Sequence, residues 1–509
     1  MTRQFSWLSG VSLLAVLALQ GCGGSTNSVD TPPTTGTPPP VVSSSGKTVI
    51  GPISGFGSII VNGVRYDTSN TTFTIDGNAG TQADLKVGQV VVIKSETDGS
   101  GNAVASSVDY EEILEGPVSS VDVSARSFTI LGQTILIDNS TSFDDDISPS
   151  SIDGVQVGDI LEISGQFNSS NEIVATRVEK SDDQSANNSN EVHGRVADLD
   201  TTAMTFSLGT LKVGYSSATL EDFDNRNITN GDLVEVEGST FLNDGTLVAT
   251  KVEYEGDDED EREGDENDEA EIRGLITTFE SAQRFTVAGV TVLTNNATTY
   301  EDGAAANLGL DVRVEVEGSY NAAGELIANE IEFEARSEIE VSSTIDAIDT
   351  TAQTLSVFGI TFAVDAMTRY EDNDDRAVQT FSLGNLVIGN FVEVSAYEDA
   401  TGVLVASKIE REDENDNDDD DNDGNGDETE IEAPVTAIGT NSLTILGTTV
   451  QTNAATEYEI GDDDDATQGE FFARLAIGDI VEVEGSSTQP LTLLAEELSI
   501  KGQDEDDDD

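Results

Sequence analysis

The sequence predicts an all-β protein made of six tandem small barrels, each of five strands. Two observations predict this class. A pattern of roughly 65–80 residues recurs six times after Lys47, and a period of that length indicates an array of similar small domains. Most copies also contain a glycine turn followed by alternating apolar and acidic residues, which is the pattern of a half-buried strand.

The alternating strand is clearest in repeats 3 and 6, which read GDLVEVEG and GDIVEVEG. In repeat 3, alternation with period two predicts that Val234 and Val236 point into a core while Glu235 and Glu237 face water. The first and fifth copies are looser than the others. In chain order the copies occupy residues 88–93, 158–165, 231–238, 310–318, 389–394 and 478–485.

Each copy has the same companions in the same order. A first strand precedes a hairpin of a second and third strand, in which Gly132-Gln133 is the predicted turn of repeat 2. A Thr-x-aromatic-acid motif and a variable insert follow, and then the alternating strand and a last strand. Examples are residues 271–276 (first strand), 127–137 (hairpin), 298–301 and 368–371 (motif), 470–475 (a short helical turn in the insert) and 247–253 (last strand).

This order of three strands, an insert and two strands favours an OB-like barrel, in which an insert lies between strands three and four. An SH3-like barrel has the same number of strands and is the alternative. Over most of residues 48–502 the repeats also resemble a bacterial family of unknown function that is found in tandem on lipoproteins. The resemblance supports the domain prediction and implies no activity.

Composition and spacing set the predicted boundaries. Repeats 1 and 2 abut, as do repeats 4 and 5, so we expect these pairs to pack rigidly. Linkers separate the other neighbours, and self-repelling chain is expected to act as a hinge. The segments are a lipoprotein signal peptide (1–21), a Gly/Ser/Thr/Pro tether (22–47), repeat 1 (48–112), repeat 2 (113–180), a linker (181–190), repeat 3 (191–255), an acidic linker (256–270), repeat 4 (271–335), repeat 5 (336–411), an acidic linker (412–429), repeat 6 (430–502) and an acidic tail (503–509).

The N-terminal segment resembles the export signal of bacterial lipoproteins. Arg3 gives a positive start, residues 11–19 are apolar but too short to span a bilayer, and Leu19-Gln20-Gly21-Cys22 has the form of a lipobox. The resemblance implies a diacylglycerol thioether on Cys22, cleavage before it and acylation of the new amino group. Because Gly23 is not the aspartate associated with inner-membrane retention, we expect an outer-membrane anchor. An ordinary signal peptide with a chance cysteine is the alternative.

Composition argues against several classes of function. Cys22 is the only cysteine, which leaves no thiol for a disulfide, a zinc site or a nucleophile. His193 is the only histidine, and its place on a predicted first strand indicates a surface position, not a ligand or a base. The formal net charge of −76 repels nucleic acid and attracts cations and basic proteins.

One segment matches the pattern of a calcium-binding loop. Residues 419–430 provide oxygen ligands at alternating positions, a glycine at the sixth place and a glutamate at the twelfth. A run this rich in aspartate also matches by chance, so diffuse attraction of cations and a solvated spacer are the alternatives. The candidate Ca²⁺ ligands are Asp419, Asp421, Asp423, Asn425, Asp427 and Glu430.

The sequence contains no catalytic constellation, and no cofactor is certain. We therefore expect a non-enzymatic lipoprotein of the bacterial cell envelope, in which a membrane-tethered array of acidic barrels binds basic proteins, polysaccharide or divalent cations. A carboxylate-dependent envelope hydrolase and a purely structural spacer are the alternatives. Paired carboxylates for glycoside hydrolysis need a separation that only a structure can give.

Overall fold

The computed structural model describes residues 46–144, 146–181, 190–223, 226–256, 268–334, 337–372, 380–399, 401–411, 429–461, 466–489 and 491–501. Regular structure in these residues is predominantly β-strand, which confirms the all-β prediction. No helix within the described residues has both the length and the apolar character that crossing a membrane requires.

The strands are numbered β1–β40 in chain order. Repeats 1 to 3 contain Lys47–Gly55 (β1), Ile59–Val61 (β2), Val64–Tyr66 (β3), Thr72–Ile75 (β4), Asn78–Gly80 (β5), Val90–Thr97 (β6), Ala103–Tyr110 (β7), Leu114–Asp122 (β8), Ser127–Ile130 (β9), Gln133–Leu136 (β10), Ser142–Phe143 (β11), Ile160–Phe167 (β12), Ile173–Lys180 (β13), Asn190–Arg195 (β14), Ala197–Asp200 (β15), Thr205–Leu208 (β16), Leu211–Gly214 (β17), Thr219–Glu221 (β18), Leu233–Gly238 (β19), Thr240–Phe241 (β20), Leu247–Val248 (β21) and Lys251–Gly256 (β22).

Repeats 4 to 6 contain Glu269–Ser281 (β23), Arg284–Val287 (β24), Val290–Leu293 (β25), Thr299–Glu301 (β26), Arg313–Tyr320 (β27), Leu326–Phe333 (β28), Ile339–Asp349 (β29), Thr354–Val357 (β30), Ile360–Ala363 (β31), Arg369–Asp372 (β32), Phe391–Glu398 (β33), Leu404–Arg411 (β34), Thr429–Ile438 (β35), Ser442–Ile445 (β36), Thr448–Gln451 (β37), Glu457–Ile460 (β38), Ile480–Gln489 (β39) and Thr492–Ile500 (β40). An α-helix, α1, spans Gln468–Arg474, and 3-10 turns span Gln82–Asp84, Ile152–Gly154 and Ala305–Asn307.

Repeat 4 shows how a barrel is built. β23 pairs antiparallel with β24 and β27, β24 with β25, and β27 with β28, while β25 and β28 run parallel and close the ring. A parallel pair between the third and fifth long strands is the strand order of an OB barrel, which favours this type over the SH3-like alternative. In repeat 3 the corresponding strands are divided between two sheets.

The hairpin turn of repeat 2 lies one residue earlier than the sequence predicts. β9 ends at Ile130 and β10 begins at Gln133, so the turn residues are Leu131 and Gly132. The φ angles are 49° at Leu131 and 73° at Gly132. A two-residue type I′ turn requires positive φ at both positions, and glycine adopts it at the second without steric cost.

The insert adds a short strand to every repeat. β4, β11, β18, β26, β32 and β38 each pair in parallel with the last strand of their own repeat. In repeats 4 and 5 this strand is formed by the Thr-x-aromatic-acid motif. In repeat 6 the insert also forms α1, which begins at Gln468 because Thr467 and Glu470 form a capping box. The predicted helical turn at residues 470–475 therefore begins two residues earlier.

Three pairs of barrels are joined edge to edge through their first strands. β1 pairs parallel with β23, β8 antiparallel with β14, and β29 antiparallel with β35. The joined pairs are repeats 1 and 4, 2 and 3, and 5 and 6. The first half of each of these strands binds the fourth long strand of its barrel on one side, so its other edge would expose unpaired backbone groups. Pairing between repeats covers that edge.

These joints differ from the hinges expected between repeats 2 and 3 and between repeats 5 and 6. One hydrophobic core runs through repeats 2 and 3, and another runs through repeats 5 and 6. Backbone hydrogen bonds and shared apolar burial therefore connect barrels that are separated in sequence by polar linkers. Linker residues 182–189, 257–267 and 412–428 lie outside the described residues.

Candidate functional site

Most of the site residues predicted from the sequence lie outside the described part of the chain. Glu430, the last residue of the predicted calcium loop, lies in β35 opposite Glu484 of β39 and Ser342 of β29. The lipid-anchor and calcium predictions stay predictions. The residues outside the described ranges are Cys22, Asp419, Asp421, Asp423, Asn425 and Asp427.

A row of acidic side chains crosses the outer face of several barrels, and we call it the acid row. In repeat 5, Glu393 of β33 lies opposite Glu410 of β34, which lies opposite Glu371 of β32. Like charges placed directly opposite each other destabilise a sheet unless a cation or a proton neutralises them. The corresponding rows are Glu162 and Glu179 in repeat 2, Glu235, Glu253 and Glu221 in repeat 3, and Glu315, Glu332 and Glu301 in repeat 4.

The acid row of repeat 3 corrects the prediction that Glu235 faces water. Only 8% of Glu235 is exposed. The Lys251 ammonium lies 3.0 Å from Glu235, 2.7 Å from Glu237 and 2.7 Å from Glu253. Period-two alternation identifies the side of a strand that faces the barrel core. It does not show that the other side is covered by neighbouring side chains.

His193 is buried, so the prediction of a surface position is wrong. Its first strand is covered because β14 pairs with β8 of repeat 2. Nε2 of His193 lies 3.4 Å from Oε1 of Glu191. Burial by itself lowers the pKa of His193, but the hydrogen bond to Glu191 and the charges of Glu255 and Glu235 raise it to about 9. At neutral pH this imidazolium is a counter-ion and not a base.

Three groups of side chains in the described residues bring potential metal ligands within 4.8 Å of one another. Each group also contains or contacts a cation of the protein itself: His193, Lys251 and Lys47, the last of which binds Glu271. A metal ion would have to displace these cations, so the groups are better described as ion-pair clusters. The groups are Glu191, His193 and Glu235; Glu235, Glu253 and Glu255; and Glu271, Glu315 and Glu317.

A different arrangement occurs where repeats 1, 2 and 3 meet, and we call it the 1–2–3 acid cluster (Asp76, Glu112, Glu115, Glu162 and Glu191). Strand pairing places Glu115 opposite both Glu162 and Glu191. No Lys or Arg of the described residues forms an ion pair within 4.0 Å of Asp76, Glu112 or Glu162. Burial, reinforced by the neighbouring carboxylates, raises the pKa of Glu112 to about 10, of Glu162 to about 7 and of Asp76 to about 6. These carboxyls hold protons at pH values where exposed ones do not.

The acid row of repeat 5 contains a buried lysine. Lys408 is 3% exposed, and its Nζ lies 2.7 Å from Glu410 and 3.0 Å from Glu393. Burial opposes its charge, but Glu393, Glu410 and Glu371 raise its pKa well above the usual value. One ammonium thus neutralises part of a row of buried carboxylates.

A cavity of about 560 Å³ lies where repeats 1, 2, 4 and 5 meet. Its size falls in the range of small-molecule sites, about 300–1,000 Å³. Repeat 1 contributes Ser54, repeat 2 contributes Gln166, repeat 4 contributes Arg273 and Arg313, and repeat 5 contributes Arg369. Three guanidinium groups in one cavity are notable in a chain with only 23 basic residues and 99 acidic ones.

Two of these guanidinium groups are paired with carboxylates. Nε of Arg273 lies 2.5 Å from Oε1 of Glu334, and a terminal nitrogen of Arg313 lies 3.2 Å from Oδ2 of Asp138. Burial acts to raise the pKa of Asp138, but Arg313 and hydrogen bonds from Ser140 hold it below the usual value. Asp138 is therefore ionised, and its negative charge neutralises the positive charge of Arg313.

Arg369 is different, because it is buried without an ion-pair partner. It is 7% exposed, and it donates one hydrogen bond, of 3.3 Å, to the carbonyl oxygen of Thr176 in repeat 2. Within the described residues, no carboxylate oxygen is placed within 4.0 Å of it. Burial lowers the pKa of Arg369 to about 10, Glu371 and Asp138 oppose this, and Arg273 and Arg313 add to it. Arg369 remains a cation at neutral pH.

The cavity also contains a buried carboxylate, Glu334, with acceptor capacity beyond its ion pair with Arg273. Both carboxylate oxygens of Glu334 are buried, and neither receives a well-aligned hydrogen bond from the described residues. Two aromatic side chains, Phe333 and Tyr397, line the same cavity. The exposed part of the lining is acidic, with Asp302, Glu332 and Glu398 at the solvent side. The cavity therefore offers donors from Arg369, acceptors from Glu334 and apolar rings.

A protein-family model matches six segments of the chain, residues 49–109, 115–179, 193–253, 273–332, 343–410 and 432–499. The model is described as a domain of unknown function, DUF5666. The chain belongs to the DUF5666 family.

Other comparisons add little to the DUF5666 assignment. No curated protein matches the chain. Among solved structures, the chain is similar to one titled "drosophila Unr CSD456", with 12% identity over 43% of this chain and 96% of that chain. The TM-score of 0.11 means that this similarity supports no argument.

Sequence reasoning missed Arg369, although a comparison of the six DUF5666 repeats contains the signal. Arg369 pairs with the last strand at the position where the short insert strand of each repeat begins. Repeat 5 is the only one with an arginine there. The residues at this position are Thr72, Ser142, Thr219, Thr299, Arg369 and Glu457.

Proposed function

We propose that this protein is a non-enzymatic lipoprotein of the bacterial cell envelope that binds a saccharide in the cavity between repeats 1, 2, 4 and 5. The observation that carries the proposal is the cavity itself, which has a volume of about 560 Å³ and is built by four repeats. It is lined by buried polar groups, Arg369 and Glu334, whose hydrogen-bonding capacity is only partly used within the described residues. Buried polar groups of this kind are normally satisfied, so the cavity calls for a polar ligand or ordered water.

The chemistry of the cavity favours a saccharide among polar ligands. OB barrels bind oligonucleotides and oligosaccharides, and a net charge of −76 disfavours the first class. Sugar hydroxyls can donate to Glu334 and accept from Arg369. The rings of Phe333 and Tyr397 provide the apolar surface that covers the C–H face of a sugar ring.

The test is calorimetry of the full chain in detergent with a panel of disaccharides. A Ser337→Trp variant fills the cavity from a residue that lies outside the strands, and we expect it to abolish binding. Ser69→Trp, at an exposed loop residue of repeat 1, is the matched control and should bind like the natural protein. Binding that survives Ser337→Trp would place the ligand elsewhere. Release of reducing ends from any polysaccharide, lost on mutation of one acidic pair, would instead favour a hydrolase.

The membrane anchor is tested separately. Labelling cells with a radioactive fatty acid should mark the natural protein and not a Cys22→Ala variant, because Cys22 is the only cysteine that a thioether can use. Membrane fractions of the Cys22→Ala variant should lose the protein. Labelling that persists in this variant would contradict the lipobox.

Divalent-cation binding is a second proposal, and it rests on residues 419–430. The three groups of potential metal ligands within 4.8 Å of one another already contain or contact His193, Lys251 or Lys47, which makes them weaker candidates. Calorimetry with Ca²⁺ should detect a site that is lost when residues 412–427 are deleted, a deletion that leaves β35 intact. Equal binding by the deleted protein would remove the loop from consideration.

A further inference from the structure

Two of the three cavity arginines pair with a carboxylate, and the third does not. Arg273 lies beside Glu334 and Arg313 lies beside Asp138, and each pair is formed within 4.0 Å. Arg369 has only the carbonyl of Thr176 as a hydrogen-bond partner among the described residues. A guanidinium has five N–H donors, so most of the donors of Arg369 are available to a ligand.

A buried charge without a partner is costly, and proteins normally pair it. The chain has 99 acidic residues, so carboxylates are abundant, yet none forms an ion pair with Arg369 among the described residues. Four charged residues shift the pKa of Arg369: Glu371 and Asp138 raise it, and Arg273 and Arg313 lower it. Asp138 is held by Arg313, and Glu371 belongs to the acid row of Lys408 and also interacts with Arg177. Neither carboxylate is an exclusive partner of Arg369.

We infer that the ligand of the cavity is an acidic saccharide whose anionic group pairs with Arg369. This inference rests on the proposed function and names its ligand class. Arg369 provides a planar donor fork that matches a carboxylate or sulfate, and a charge-assisted pair in a buried site is strong. Glu334 takes the hydroxyl donors of the same sugar unit.

The solvent side of the cavity limits the charge of the ligand to one anionic group. Asp302, Glu332 and Glu398 are exposed lining residues, and each would repel a second anionic group that lay beside it. Arg273 and Arg313 are already neutralised. The cavity therefore selects a sugar unit with one acidic group over a neutral one and over a diacid.

The experiment compares matched disaccharides by calorimetry on the full chain. The probes are cellobiouronic acid, with one carboxylate, cellobiose, with none, and the disaccharide of two glucuronic acids, with two. We expect the singly acidic probe to bind at least about tenfold more tightly than either other probe. A tenfold change in affinity corresponds to about 1.4 kcal/mol, which one charge-assisted hydrogen bond can supply. A sulfated disaccharide and inorganic sulfate distinguish a sugar-borne group from a free anion.

The variants isolate Arg369. Arg369→Gln should lower the affinity for the singly acidic probe to about the affinity that the same variant has for cellobiose, whereas Arg369→Lys should keep part of the preference. Arg195→Gln removes an exposed arginine of repeat 3 and is the matched control. The natural protein with the three probes tests the inference even if a variant fails to fold.

Each outcome has a definite reading. Equal affinity of the natural protein for cellobiose and cellobiouronic acid, both lost in Ser337→Trp, overturns the acidic-ligand inference and leaves the proposed function standing. A preference that survives Arg369→Gln also overturns the inference. Binding of inorganic sulfate as tight as that of the acidic sugars reduces the site to an anion site and overturns the saccharide part. Binding of no probe at all overturns the proposed function and the inference together.

Discussion

The cavity and the 1–2–3 acid cluster are both junctions between barrels, but they have opposite charge imbalances. In the cavity, Arg369 is a buried cation without a carboxylate of its own. In the 1–2–3 acid cluster, Asp76, Glu112 and Glu162 are carboxyls without an ammonium or guanidinium group in ion-pair contact among the described residues. The acid row of Lys408 is the intermediate case, because it contains both carboxylates and a buried cation.

This difference separates a ligand site from a proton site. A carboxyl can lose its charge by taking up a proton. The raised pKa of Glu112 means that this carboxyl is protonated at neutral pH. An arginine does not lose its proton at physiological pH, so its charge requires an external partner or water. The surplus of acid at one junction therefore makes stability depend on pH, whereas the unpaired arginine at the other leaves N–H donors for a ligand.

The largest expected loss of stability comes from removing Lys408. Without this lysine the acid row of repeat 5 would resemble the 1–2–3 acid cluster, whose carboxyls have no lysine or arginine in ion-pair contact among the described residues. Lys408→Met leaves the buried Glu410 and the half-buried Glu393 without their ammonium, and breaking a buried pair such as Lys408–Glu410 costs about 3–5 kcal/mol. Chemical denaturation of the full chain should show this loss in the free energy of unfolding, with partial recovery at pH 5 as the carboxyls protonate. Lys212→Met, at an exposed lysine, should change little. A loss below about 1 kcal/mol would show that Lys408 does not neutralise the row.

An intermediate effect is expected at Glu112. Burial raises the folded pKa of Glu112 from its ordinary value of 4.5 to about 10, so its contribution to stability is fully present below about pH 4.5 and is lost as the pH rises through about 10. The melting temperature should therefore fall between pH 5 and pH 9. Glu112→Gln removes the titration, and it should flatten this fall and raise the melting temperature at pH 8. Glu96→Gln, at an exposed position of repeat 1, should keep the slope of the natural protein.

The smallest expected effect on stability is at Arg369. Because the guanidinium has no carboxylate partner, Arg369→Gln should change the free energy of unfolding by less than about 1 kcal/mol in the absence of ligand. Arg313→Gln, which leaves Asp138 without its guanidinium, should cost more. If Arg369→Gln destabilises the protein as much as Arg313→Gln does, Arg369 has a structural partner and the contrast between the two junctions disappears.

Part of the site follows from the sequence. The recurring strand predicts which side chains face the barrel core and that Glu235 and Glu237 lie on the other side. A comparison of the six repeats also shows Arg369 as the exception among six equivalent positions, although the sequence analysis missed it. Nothing in the local pattern shows that Glu235 or His193 is buried, because side chains of other strands surround Glu235 and the strand of His193 pairs with repeat 2. The cavity is likewise formed by residues from four repeats that are distant in sequence.

The sequence by itself determined the all-β class, the six repeats and the acidic surplus, because hydrophobic periodicity and composition are local properties. The tertiary structure alone decided which barrels are joined, and it joined repeat 1 to repeat 4 instead of repeat 2. The physical reason is that an open strand edge binds any edge of matching geometry, so its partner is chosen by the packing of whole barrels. That choice placed Arg369 in a cavity and Glu112 among carboxylates, and it is the source of the proposed function.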